Sequence, residues 1–286
     1  MMVGYMEACK MFNDEIVAKI EEAAGKMRRQ SIEMTYAMGR TGAHIGGGLS
    51  LIEIMAVLYL NVMKYDLDNM EDEFRDRLIF SKGHGTLALY TAMWQAGILT
   101  DDDLKLYKQN DSFLSAHPSM NKEIGVEYSS GSLGQGLSLG VGAALGMKRK
   151  GNDSSRVFVI LGDGECDEGS IWEAAATASH FGLNNINVVV DMNGLQYDGT
   201  TDEVLSMSDM EAKWKSFGFE VYNVDGHSVK DLLEVFDKAA LDKSGRPKVF
   251  LAKTIKGKGV SFMENNPLWH NGKLSQKQYN QAIEEV

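Results

Sequence analysis

The sequence predicts an α/β fold, with a mostly parallel central sheet and helices on both faces, and two observations in its middle carry that expectation. Val157-Phe158-Val159-Ile160-Leu161 is an unbroken apolar run of mostly branched residues, the composition of a parallel strand buried on both sides. It is followed by an alanine-rich helical segment, Ile171 to His180, and by a second apolar strand, Val188-Val189-Val190 within Asn187 to Asp191. Strand, helix and strand make a βαβ unit, which is right-handed almost without exception. Gly162-Asp163-Gly164 and Asn193 therefore each fall just past the carboxyl end of a strand, where open α/β sheets bind ligands.

The remaining elements follow in chain order. Asn13 or Asp14 can cap a helix whose stripe is Ile16, Ile20, Ala23 and Met27, with Lys26, Arg28 and Arg29 placed to suit its dipole. Gly39 to Gly48 is too glycine-rich for helix and forms a loop presenting His44; Ser50-Leu51-Ile52-Glu53 reads as a capping box opening a helix to about Asn61. Leu78-Ile79-Phe80 is a short strand, Ser81 to Gly85 its exit turn with His84, and Thr86 to Gln95 a helix. Thr100 caps an acidic first turn, and Ser115-Ala116-His117-Pro118 is extended. Gly131 opens a glycine-rich turn before a small-residue helix, Gly134 to Lys148; no strand leads into it and its spacing does not fit a dinucleotide fingerprint. Asp209 to Phe217 is a helix, Glu220 to Val224 a strand, His227 a turn residue, Ser228 to Leu241 a helix and Lys248 to Thr254 a further parallel strand. Lys256-Gly257-Lys258-Gly259 is its exit loop, with the lysines read as solvated.

The chemistry of the central stretch is specific. Asp163 offers a carboxylate and Asn193 an amide oxygen, and oxygen-only ligation favours Mg²⁺ or Ca²⁺ over zinc. Gly164 lets backbone approach a ligand, and the following helix aims its N-terminus at the same point, which suits a phosphate. Two protein ligands leave most of an octahedral Mg²⁺ open, as expected of an ion clamped against a diphosphate. This pattern closely resembles the thiamine diphosphate fingerprint. Glu168-Gly169, the upstream Gly131-Ser132-Leu133-Gly134-Gln135-Gly136 and the downstream Asp191-Met192-Asn193-Gly194-Leu195 resemble transketolase motifs in the right order. Met192 stands where many relatives carry Asn, and Ile45 replaces the proline of the family's first histidine loop.

The resemblance runs from about Asn13 onward and covers only the N-terminal, diphosphate-binding half of a full-length transketolase. It implies one subunit of a split enzyme, a single thiamine diphosphate-binding domain over residues 1–286 with a short helical lead-in. Its implied reaction moves a two-carbon glycolaldehyde unit from a ketose to an aldose, with sugar phosphates as substrates. By the same resemblance Asp163, Asn193 and the Leu195 carbonyl hold the metal, and His84, Gly131, Leu133, Gly164 and His270 meet the cofactor. His44 and His270 exchange protons with the sugar, His84 and His117 orient cofactor and donor, and Glu168 lies near a subunit interface. The family's activating glutamate belongs to the pyrimidine-binding domain. A C-terminal transketolase subunit is the implied partner, in a heterotetramer. Two other readings are open: the alpha subunit of a 2-oxo acid dehydrogenase decarboxylase, which fits the four histidine motifs less well, and a non-catalytic thiamine diphosphate-binding protein.

Composition sets the outer limits. With 286 residues and three scattered prolines the chain reads as one domain, and a formal net charge of −11 argues against nucleic acid and anionic membranes as partners. Two cysteines, Cys9 and Cys166, make neither a disulfide framework nor a zinc site, and Cys166 reads as packing rather than as a nucleophile. No apolar run reaches 18 residues and the start lacks a signal-peptide pattern, so a soluble, cytoplasmic protein is expected. The 17 methionines fall mostly in helical patterns and are expected in the core.

Overall fold

Alternate residues of the apolar runs face two different cores, which is why those runs show no polar face. In the computed structural model, which describes residues 14–286, Phe158 and Ile160 pack on one side of the sheet with Phe80, Val189 and Phe250. Val157, Val159 and Leu161 pack on the other with Ile79, Val188, Val190 and Val249. The strands are β1 (Arg77–Phe80), β2 (Val157–Gly162), β3 (Ile186–Met192), β4 (Glu220–Asp225) and β5 (Lys248–Lys253). All pairings are parallel, in the order β1-β2-β3-β5-β4. The exit loops of β1, β2, β3 and β5, which carry candidate site residues, therefore leave the same edge of the sheet.

The helices are α1 (Asp14–Ala37), α2 (Ile45–Leu49), α3 (Ile52–Val57), α4 (Thr86–Gln95), α5 (Asp101–Lys105), α6 (Gln135–Arg149), α7 (Gly169–His180), α8 (Thr201–Leu205), α9 (Met210–Ser216), α10 (Val229–Ala240) and α11 (Gln276–Glu285). Helices α1 to α4 and α10 cover one face, and α6, α7 and α9 the other. The cap expected at Thr100 accepts a backbone N–H as a full capping box with Asp103, and Asp209 and Ser228, read as the first residues of helices, cap α9 and α10, each accepting a backbone N–H. Asn13 lies outside the described residues, as does Cys9.

Three local expectations are corrected. Helix α1 runs on to Ala37, so Lys26, Arg28 and Arg29 sit mid-helix; Ile16 is exposed, and Arg28 is buried against Glu53. Ser50 does not cap α3: it is fully buried, and its hydroxyl donates to Asp191 Oδ2 at 2.6 Å. Glu53, freed from a capping role, pairs with Arg28 and with His227 Nδ1 at 2.9 Å. The third correction is α2, a helix inside the glycine-rich loop. Its glycines are there for proximity: a Cβ on Gly46 would lie 2.6 Å from the Trp269 carbonyl oxygen, and one on Gly47 would lie 3.1 Å from the His84 ring. Close packing outweighs weak helix propensity at that spot.

Candidate functional site

Asp163 ties together the exit loops of β2 and β3. Its Oδ1 accepts from Gly164 N at 2.8 Å and its Oδ2 from Gly194 N at 2.5 Å, immediately past Asn193. Asn193 accepts from Leu195 N at 3.1 Å and donates to Asp191 Oδ2 at 3.2 Å. Asp163, Gly164, Asn193, Leu195 and Leu133 all line one cavity of about 220 Å³, together with His84 and His270. Burial pushes the Asp163 carboxyl up to about 6, with the Asp191 charge adding to it and outweighing the two backbone donors. A buried carboxylate whose pKa stays raised despite nearby donors fits a divalent cation, and Asn193 and the Leu195 carbonyl offer uncharged oxygens at this spot. No cluster of three or more His, Cys, Asp or Glu side chains forms a metal cage among the described residues.

Four histidines from four separate segments meet beside this cavity. His44 is their hub, with ring centroids 5.9 Å from His84, 5.3 Å from His117 and 5.6 Å from His270; His84 and His270 stack at 4.8 Å. The segments are fastened by backbone. Ala43 and Gly272 exchange two hydrogen bonds of 2.9 Å each, joining the His44 and His270 loops. Thr86 and Tyr90 of α4 donate to the carbonyls of Ala116 and Ser115, each at 3.0 Å, which holds the His117 segment. Burial depresses the basicity of all four: His44 to about 4, His270 to about 3, His84 well below the ordinary range and His117 more modestly. Neighbouring positive groups add to the effect, and the cluster is neutral at neutral pH, able to accept protons.

The other expected site residues fall at the margin. Gly131 lies against the His117 ring, and Glu168 is exposed at the start of α7, beside Gly134 and apart from the cavity lining. Cys166 is fully buried with its thiol pushed well above the ordinary range by burial, consistent with packing. His227 is in the turn after β4, where its Nε2 accepts from Ile255 N at 2.8 Å.

Lysine and glutamate side chains that pattern reasoning passed over complete the site. Lys256, read as solvated, is 2% exposed; its ammonium donates to Leu195 O at 2.9 Å and Gln196 O at 3.2 Å, and burial lowers its pKa to about 8. Its place directly after a parallel strand was the available signal. Lys82, also 2% exposed, pairs with the fully buried Asp191, donates to Gly47 O at 3.1 Å, and lines the same cavity. Glu165 is buried where three elements meet, accepting from Ser81 Oγ, from Gly134 N at 2.9 Å and from Gly162 N at 3.1 Å. Burial raises its pKa despite those donors.

Ser81 also accepts from Gly136 N at 3.1 Å, so α6 begins in direct contact with the exit of β1. A Cβ on Gly136 would lie 2.3 Å from the Ser81 side chain and 2.6 Å from the Tyr128 hydroxyl. Gly136→Ala is therefore expected to cost about 1–3 kcal/mol, read as a lowered urea midpoint at unchanged m-value.

Comparison with known proteins gives the family. The family described as "Transketolase, thiamine diphosphate binding domain" matches residues 22–285. The chain belongs to the transketolase family. It is 36% identical over 265 residues to an apulose-4-phosphate transketolase subunit from Actinobacillus succinogenes, covering 93% of this chain and 95% of that protein. It is 37% identical over 268 residues to a 6-deoxy-6-sulfo-D-fructose transketolase subunit from Clostridium sp., covering 93% and 96%. The crystal structure of transketolase from Campylobacter jejuni superimposes with a TM-score of 0.85 at 28% identity, covering 93% of this chain and 42% of that one. Within the family the chain thus spans the N-terminal, thiamine diphosphate-binding part, about two fifths of that transketolase. No described helix is long and apolar enough to cross a membrane.

Proposed function

We propose that this chain is the thiamine diphosphate-binding subunit of a two-component transketolase that moves a glycolaldehyde unit from a ketose to an aldose. The reading rests on the four neutral imidazoles gathered beside the Asp163–Asn193 cavity. A decarboxylase subunit has less use for such a cluster, whereas a polyhydroxylated sugar offers each imidazole a hydroxyl. Asp163, Asn193 and the Leu195 carbonyl would hold Mg²⁺ against the diphosphate, with Ca²⁺ the other candidate ion. Lys256 and Lys82 would supply the positive charge that an acidic chain otherwise lacks near a polyanion. The bound cofactor contributes the thiazolium that accepts the two-carbon unit. His44 and His270 take and return the proton of the sugar hydroxyl at the cleaved bond, and His84 and His117 orient the donor. Leu133, Gly164 and Gly131 shape the approach, and Glu168 faces a subunit boundary.

The partner is a C-terminal transketolase subunit carrying the pyrimidine-binding domain and its glutamate, the two forming a heterotetramer. Because the relatives named above act on a phosphorylated and a sulfonated sugar, an anionic sugar is the substrate class to screen. The test is reconstitution with the native partner, assaying ketol transfer and 2-oxo acid decarboxylation in parallel. Ketol transfer that needs both chains, thiamine diphosphate and a divalent cation is expected. Decarboxylation instead of transfer, cofactor binding without turnover, or full activity of this chain alone each overturns the proposal.

A further inference from the structure

The His44 and His117 segments share one more tie, which the proposed reaction does not use. Lys108 lies in the loop that follows α5, and its backbone adopts the left-handed conformation at φ 55°, uncommon for a residue other than glycine. Its amide donates to Leu114 O at 2.8 Å, closing that loop just ahead of the His117 segment. The ammonium donates to Gly42 O at 2.5 Å, two residues before His44. No carboxylate among the described residues is in ion-pair contact with Lys108, although the chain carries an excess of acids. The half-buried ammonium thus has the neutral Gly42 carbonyl as its partner, and its charge is not compensated by an acid in ion-pair contact among the described residues.

We propose that Lys108 is a positioning residue: it clamps the Gly42–His44 loop to the loop that leads into His117 and sets a fixed positive charge beside both rings. The inference rests on the proton-transfer role given above to His44. Among the described residues, the rings against His44 are those of His84, His117 and His270, the ring against His117 is that of His44, and the Lys108 charge acts on both. None is an acid. With no carboxylate to stabilise an imidazolium, the nearby ammonium acts in one direction and favours the neutral, proton-accepting ring. After burial, Lys108 is the next cause of the lowered basicity of His117, and it also lowers that of His44.

The test is an NMR titration of the histidine ring protons in the full chain, comparing wild type with Lys108→Met and Lys108→Arg. In Lys108→Met the midpoints of His44 and His117 are expected to rise by roughly 0.5–1 pH unit, the size of a unit-charge effect at a half-buried site. His180, at the far end of α7, serves as the unmoved reference. Lys108→Arg, which keeps the charge and the donor, is expected to retain the wild-type midpoints. Unmoved midpoints in Lys108→Met, or equal displacement in both variants, overturns the proposal. The titration needs neither partner nor turnover, so its result stands apart from whether the chain proves to be a transketolase subunit. In the reconstituted enzyme, the acid limb of kcat/KM is expected to move to higher pH in Lys108→Met alone. A uniform loss with an unmoved limb shows a merely structural role and overturns the proposal as well.

Discussion

Lys82→Met is expected to destabilise the chain by about 3–5 kcal/mol, because it leaves Asp191 as an uncompensated charge in the fully buried floor of the site. Burial alone would raise the Asp191 pKa; the Lys82 charge and hydrogen bonds from Lys82, Ser50 and Thr254 reverse that and hold it below the ordinary range. This pairing is fully stabilising above the ordinary aspartate range and is lost as pH falls through the depressed value. Urea denaturation of the apo chain at pH 7 measures the loss. The double variant Lys82→Met with Asp191→Leu removes both charges and is expected to regain much of the stability. If the single variant unfolds at the wild-type midpoint, the ion pair is not what holds β1, β3 and α2 together.

Asp163→Asn is expected to abolish cation-dependent thiamine diphosphate binding while leaving the chain folded, since the amide oxygen can still accept from Gly164 N. Losing even an outer-sphere partner of a metal costs roughly 10- to 100-fold in affinity, so the direct ligand role proposed for Asp163 predicts a loss beyond the upper figure. Calorimetric titration of thiamine diphosphate in Mg²⁺ reads it directly. The same experiment on the wild-type chain carries a pH signature. In the proposed site, protons would compete with the cation for a carboxyl raised to about 6, so affinity is expected to fall as pH drops through that value. An asparagine variant with wild-type affinity would remove Asp163 from the metal site.

Much of this was legible in the sequence because buried parallel strands leave a local signature. The runs at 157–161 and 188–190 are apolar on both faces, and the rule that ligands gather at carboxyl strand ends located Asp163 and Asn193. Segments flanking His44, His84, His117 and His270 were recognisable, yet only the fold shows that His44 touches the other three. What escaped was decided by long-range contact. Lys256 and Lys82 look like surface lysines until the sheet buries them, and Ser50 satisfies a capping pattern while serving Asp191 instead. Gly46 to Gly48 read as loop because the Trp269 carbonyl and the His84 ring that demand their smallness lie far away in sequence.

The paired hydrogen bonds between Ala43 and Gly272 have a consequence for biogenesis. All five strands precede residue 254, so a nascent chain can lay down its whole sheet before residue 44 gains its neighbour at 270.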